Sequence, residues 1–220
     1  EFYAIMSKGG FDVIIGNPPY LEQREVLYEP RGFVSAESKA IHAMCIERGL
    51  QLVASSGYLS YIVPMALTST QRMAQLQGML EAERTTYYSN YAWRPGKLFD
   101  TVNRALTIFV SGPSSGTKVY STGYRKWGSA SRAHLIPTVS YRSVPTQRSS
   151  FWVPKFESAL ESEILEKMRS TGQPLGHLYG KSEGKVFYRT TGGLYWKVFT
   201  DFPPAFRRNG IEANSSRETS

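Results

Sequence analysis

Asn17, Pro18, Pro19 and Tyr20 follow directly on an apolar run, Val13-Ile14-Ile15, closed by Gly16. Residues of these types, in this order, suit one kind of chemistry. An exocyclic aromatic amine is a poor nucleophile because its lone pair is delocalised into the ring. The Asn17 side-chain oxygen and the Pro18 carbonyl can each accept one of its N–H bonds. Two such acceptors pull the nitrogen towards tetrahedral geometry and localise the lone pair, which is electrostatic preorganisation. The Tyr20 ring can stack on the heterocycle and hold it in line with an electrophile, adding a proximity term.

These residues need an element to carry them. Phe11 to Tyr20 reads FDVIIGNPPY, and its β-branched run predicts a buried strand. Two consecutive prolines have fixed φ and no N–H, so strand and helix both stop there. The expected result is a rigid loop at the carboxyl end of a strand, where open α/β sheets put their ligands. Downstream, Ser35 predicts the cap of a helix over about 36–54, with Ile41, Met44, Cys45 and Leu52 on its packed face. Strands are predicted at 58–63, 86–93 and 105–110, with a second helix over 70–83. This alternation is the rhythm of a parallel sheet with crossover helices.

Asn-Pro-Pro-Tyr after an apolar strand resembles the catalytic motif of amino-methyltransferases that use S-adenosyl-L-methionine, above all adenine-N6 DNA methyltransferases of restriction–modification systems. The stretch GYLSYIVP and the later KLFDTVNRALTIFV are similar to segments that follow in that family. The resemblance implies an α/β fold, the C-terminal half of a Rossmann-like methyltransferase sheet, followed by a mixed α+β extension. It implies that the target adenine is flipped out of duplex DNA, sandwiched by Tyr20 and Phe99, and activated by Asn17 and Pro18, with Pro19 holding the turn. The methyl group would transfer by direct displacement. No strand–glycine loop–helix pattern for the cofactor is present, so the chain is expected to be a truncated fragment, inactive alone, that touches the cofactor only near Asn17.

Charge supports a polyanion partner. Residues 1–110 carry 10 Lys+Arg and 10 Asp+Glu, whereas residues 111–220 carry 16 and 8. Between Asp100 and Glu157 there is no acidic residue and there are eight basic ones. Arg104, Lys118, Arg125, Lys126 and Arg132 are therefore expected to hold double-stranded DNA through its phosphates. Phe187-Tyr188-Arg189 and Tyr195-Trp196-Lys197 flank Thr190-Thr191-Gly192-Gly193 and predict a hairpin. Its aromatics, with Arg189 and Lys197, either stack on bases and pair with phosphates or are half-buried with snorkelling tips.

The expected organisation is a partial catalytic domain over 1–112, a basic connecting region over 113–155, and the start of a target-recognition region over 156–220. Phe156, Leu160, Ile164 and Met168 predict a packed helix over about 157–170. Cys45 is the single cysteine, which excludes an internal disulfide and fits a cytoplasmic setting. No apolar run reaches membrane-spanning length, and His42, His134 and His177 are too scattered to form a metal set. Two other readings stay open: a protein-glutamine or RNA amino-methyltransferase, and a non-catalytic DNA-binding or specificity module.

Overall fold

The computed structural model describes residues 2–146, 148 and 151–172. A compact unit over Glu1–Glu163 holds the whole sheet, and a second runs over Ile164–Ser220. Six strands form a single sheet among the described residues: β1 Phe11–Gly16, β2 Val53–Pro64, β3 Arg84–Tyr91, β4 Leu106–Pro113, β5 Lys118–Arg125 and β6 Arg142–Val144. The helices are α1 Tyr3–Met6, α2 Ile41–Leu52, α3 Ala66–Ser69, α4 Ala74–Glu81 and α5 Ala159–Thr171. The α/β class is as expected, with the strands in the order β1-β2-β4-β3-β5-β6.

The sheet is mixed rather than parallel. β1 pairs with β2 and β3 with β5 in parallel, while β4 runs antiparallel between β2 and β3, and β6 is antiparallel to β5. The chain from β3 to β4 returns directly through a loop, which gives an antiparallel pair with no helical crossover. β1, β2 and β3 share one direction, so the loops after β1 and β3 leave the same edge of the sheet.

The core lies where α2 and α4 cover this sheet. Ile41, Met44, Ile46, Leu76 and Leu80 from the helices are buried, as are Leu59, Val63, Tyr88 and Phe109 from the strands. Gly49 permits close approach, since a Cβ there would lie 2.7 Å from a Leu59 methyl. Asn90 ties three strands: its amide oxygen accepts from Thr107 (2.9 Å) and Thr68 (3.3 Å), and its nitrogen donates to Ser121 (3.0 Å) and the Thr122 carbonyl (3.2 Å). A buried amide with its valences filled fixes a unique arrangement.

Three sequence expectations are corrected. β1 is not buried: Val13 is 61% and Ile15 79% exposed, because β1 is an edge strand whose outer side no other described element covers. Ser35 does not cap α2. It sits in a 3-10 turn, Val34–Ser38, and Lys39 then turns left-handed (φ 59°), so the helix begins at Ile41. The Glu47 carboxylate, reaching back from α2, accepts the Val34 and Ser35 N–H groups at 3.1 and 2.8 Å. Finally, α5 starts at Ala159: the Ser158 hydroxyl accepts the Glu161 N–H while the Glu161 carboxylate accepts the Glu157 and Ser158 N–H groups, a reciprocal cap. Phe156 is buried ahead of the helix, whereas Leu160, Ile164 and Met168 are exposed.

Candidate active site

The β1–β2 ladder ends at Gly16 opposite Tyr61. Pro18 and Pro19 have no N–H to extend it. The Tyr20 hydroxyl takes over, donating to the Ile62 carbonyl at 3.2 Å. Burial pushes the Tyr20 phenol up to about 12, against the opposing pull of the Arg104 guanidinium, so at neutral pH it is a protonated donor. Beyond it, the Ile41 N–H donates to Leu21 (2.9 Å) and the Gln23 N–H to Lys39 (2.8 Å), which stitches the loop to the start of α2. Asn17 and Pro19 are exposed and Pro18 is half-buried. The Asn17 amide has no hydrogen-bond partner among the described residues.

The loop between β3 and β4 carries Phe99, which is half-buried. Its course is fixed from outside. The Ala92 N–H donates to the Arg125 carbonyl at 2.9 Å and the Gly96 N–H to the Trp127 carbonyl at 2.7 Å. Gly96 lies against the Trp127 ring, where a Cβ would come within 2.6 Å. Arg132 donates one terminal nitrogen to the Lys97 carbonyl (2.9 Å) and the other to the Leu98 carbonyl (2.8 Å). Tyr91, Trp127 and Leu135 form a buried cluster on which Leu98 packs. At the far end Arg104 donates to the Tyr20 carbonyl at 3.4 Å, so the two loops meet across 84 residues of sequence.

Beneath the first loop, Glu22 and Arg72 pair through two bonds of 2.8 Å, and Arg72 also donates to the Ser38 carbonyl at 3.1 Å. That bond to Arg72 holds the Glu22 carboxyl below its usual range. His42 is 3% exposed, and neither ring nitrogen has a partner. Burial, with Arg72 and Arg104 nearby and Glu22 opposing, pulls His42 down to about 4, so the ring is neutral. A cavity of about 870 Å3 opens between residues 22–29, Lys39 and Arg72. Sequence reasoning missed this group, because the partners are 50 positions apart and carry no spacing signal.

The eight basic residues between Asp100 and Glu157 meet different fates. Arg148 is buried against Glu81 at 2.9 Å. Lys155 donates to Ser69 Oγ (3.1 Å) and to the Val153 and Thr68 carbonyls (3.3 and 3.5 Å), and burial pulls its ammonium down to about 8. Arg125 donates to the Leu135 carbonyl and to Thr138 Oγ1 (2.6 Å). Arg132 and Arg104 hold loop carbonyls, as above, and Arg142 is half-buried in β6. Lys118 and Lys126 are exposed. Arg189 and Lys197, with the hairpin predicted around them, lie outside the described residues.

Residues 1–92 match the family model described as Eco57I restriction-modification methylase. Over these residues the chain is similar to restriction–modification methylases. It is 26% identical over 199 residues to the type II restriction enzyme and methyltransferase RM.Eco57I of Escherichia coli, covering 84% of this chain and 19% of that protein. Among solved structures, a DrdV–DNA complex is similar with a TM-score of 0.52 at 12% identity, over 61% of this chain and 17% of that one. The ATP-dependent type ISP restriction-modification enzyme LlaBIII, bound to DNA, gives 0.52 at 13% identity, over 71% and 13%. At such identities the likeness is one of fold. The chain thus spans about a fifth or less of the proteins it matches.

The family model and RM.Eco57I are described as a methylase and a methyltransferase, which need a methyl donor. Among the described residues no strand is followed by a glycine loop and a helix. Gly9 and Gly10 precede β1, and Gly10, at φ 111°, packs on the backbone where α2 passes into β2. They are turn residues and do not fit a cofactor cradle. Asn17 is exposed directly after the end of β1, with an amide free to meet a polar group there. Among the described residues no cluster of metal-ligating side chains forms, and no helix is long and apolar enough to cross a membrane.

Proposed function

We propose that this chain carries the amine-activating part of an adenine-N6 DNA methyltransferase of a restriction–modification system. One observation carries the reading: the loop with Asn17 leaves the sheet at the same edge as the loop with Phe99, and Arg104 joins the two at Tyr20. Asn17 Oδ1 and the Pro18 carbonyl accept the two amine hydrogens of a flipped adenine. Pro19 and Pro18 keep the loop rigid, and the Tyr20–Ile62 bond keeps the phenol ring at the strand end. Tyr20 and Phe99 take the two faces of the base. The donor, S-adenosyl-L-methionine, supplies an electrophilic methyl, and of the described residues only Asn17 stands at its edge. No side-chain base is needed, because the nitrogen sheds its proton once alkylated.

Duplex DNA is the proposed partner, since the similar solved structures include DNA complexes. Lys118 and Lys126 are the phosphate contacts this reading favours in the described part, with Arg189 and Lys197 in the proposed target-recognition start at 156–220. The test uses the full-length protein that contains this chain. Asn17→Ala is expected to lower methylation of duplex DNA by about 10²–10³, by analogy with loss of one preorganised hydrogen-bond partner, with DNA affinity unchanged. Retention of more than about a third of the turnover on that scale would overturn the assignment. Transfer of labelled methyl to protein or RNA, and not to DNA, would favour the other amino-methyltransferase reading.

A further inference from the structure

We propose that Arg132 is the positioning residue for Phe99, so that the segment after β5 sets the second wall of the base pocket. This rests on the reading above. Two backbone carbonyls, of Lys97 and Leu98, directly precede Phe99 and accept from Arg132. Lys97 and Leu98 lie in a loop, outside any strand ladder. A planar guanidinium takes two successive carbonyls with a fixed fork of donors, which sets their mutual geometry, whereas the donors of an ammonium rotate freely. Arg132 takes both at 2.9 and 2.8 Å, directly before Phe99.

The clamp is itself held. Arg132 belongs to the 3-10 helix Ser129–His134. Its guanidinium lies 5.7 Å from the Trp127 ring centroid, within cation–π range. The same Trp127 receives the Gly96 N–H on its carbonyl and the Gly96 backbone on its ring. Arg125, the last residue of β5, holds the distal side of the segment through Leu135 and Thr138. A continuous set of contacts therefore runs from β5 through Arg125 and Arg132 to residues 97 and 98. After Phe99 the loop is closed by Lys97 on Asn103 (2.6 Å) and by Arg104 on Tyr20. Both sides of Phe99 are pinned by cations, and Arg132 is the one that comes from outside the loop.

The experiment uses the full-length protein with Arg132→Ala, Arg132→Lys, Phe99→Leu and the Phe99→Leu/Arg132→Ala double variant. Methylation kinetics on duplex DNA and amide exchange over residues 96–103 are both read. Arg132→Ala is expected to lower kcat about tenfold, a loss in keeping with misplacement of a positioned group, at unchanged DNA affinity. Arg132→Lys should recover only part of it, and exchange over 96–103 should quicken in both. The deciding result is the double variant, whose turnover should equal that of Phe99→Leu alone, since Arg132 then has no ring to place. Losses that multiply, or exchange equal to wild type, would overturn the proposal. A wild-type enzyme that methylates no DNA would bring down the underlying reading as well, and is told apart by that inactivity.

Discussion

The loops at 16–23 and 92–105 leave the same edge of the sheet and meet at the Arg104–Tyr20 bond, yet they are held in contrasting ways. The first is stiffened by its own covalent chemistry, two prolines, with one phenol bond to β2 and a short bridge to the start of α2. The second, with its glycine and its single proline, takes its course from residues some 30 positions later: Arg125, Trp127 and Arg132. The difference bears on the basic half of the chain. The eight cations between Asp100 and Glu157 read as a polyanion surface in sequence, but five of them, Arg104, Arg125, Arg132, Arg148 and Lys155, are spent on carbonyls or a buried carboxylate. A charge count cannot separate these uses, whereas burial and donor geometry can.

The strongest challenge to this comparison is Arg148. Burial pushes the Glu81 carboxyl up, against Arg148 and Tyr88, which stabilise its charged form. Arg148→Ala leaves that carboxylate unpaired and is expected to cost about 3–5 kcal/mol, measured by urea unfolding. A loss below about 1 kcal/mol would return Arg148 to the class of surface charges. The double replacement Glu81→Leu/Arg148→Met should recover part of the stability, short of wild type by about 1–3 kcal/mol, the cost of a buried Tyr88 hydroxyl left without its acceptor.

Next comes the support of the first loop. His42 is pulled down to about 4 in the fold and rises to its usual 6.5 when unfolded. The unfolded chain therefore binds the extra proton, and stability falls as pH drops from 6.5 towards 4, by roughly 3 kcal/mol at the end of that window. His42→Leu should flatten this slope between pH 6.5 and about 4.5, below which carboxylates such as Glu22 take over. An unaltered slope would mean that His42 gains a partner in solution.

Gly96→Ala tests the second loop. The added methyl meets the Trp127 ring at 2.6 Å and its carbonyl at 2.7 Å. A cost of about 1–3 kcal/mol is expected, together with faster amide exchange over 96–103. The smallest effect is reserved for the exposed cations. Lys126→Ala should reduce the slope of log K against log salt for duplex DNA by about 0.9, equally for all sequences. Arg125→Ala should instead destabilise the fold. A loss of salt dependence from Arg125→Ala without lost stability would break the comparison.

The legible parts of this protein are those whose physics is local. Prolines have no N–H wherever they stand, so the end of β1 and the rigid loop at Asn17 could be read directly. Apolar alternation placed β2, β3 and β4 to within a few residues, except that β2 starts earlier, at Val53. Ser35 misled because a serine can cap any nearby turn, and whether Glu47 or Ser35 serves that turn depends on a side chain 12 residues away. β1 read as buried because its residues are apolar, but burial is a property of what lies beside a strand, and β1 is at the edge.

Sequence by itself determined the α/β class and the strand that presents Asn17, since both follow from bond geometry and short-range periodicity, while the chemistry of the Asn-Pro-Pro-Tyr loop is a proposal from its residue types. Only the tertiary structure decided that β4 inserts antiparallel between β2 and β3, that Arg104 reaches Tyr20, and that Arg132 and Trp127 hold the loop of Phe99. The first is a matter of long-range strand pairing, and the arginine contacts depend on which distant carbonyls are left without a partner once the sheet has formed. A guanidinium finds such groups through space, and nothing in its neighbours along the chain records where they are.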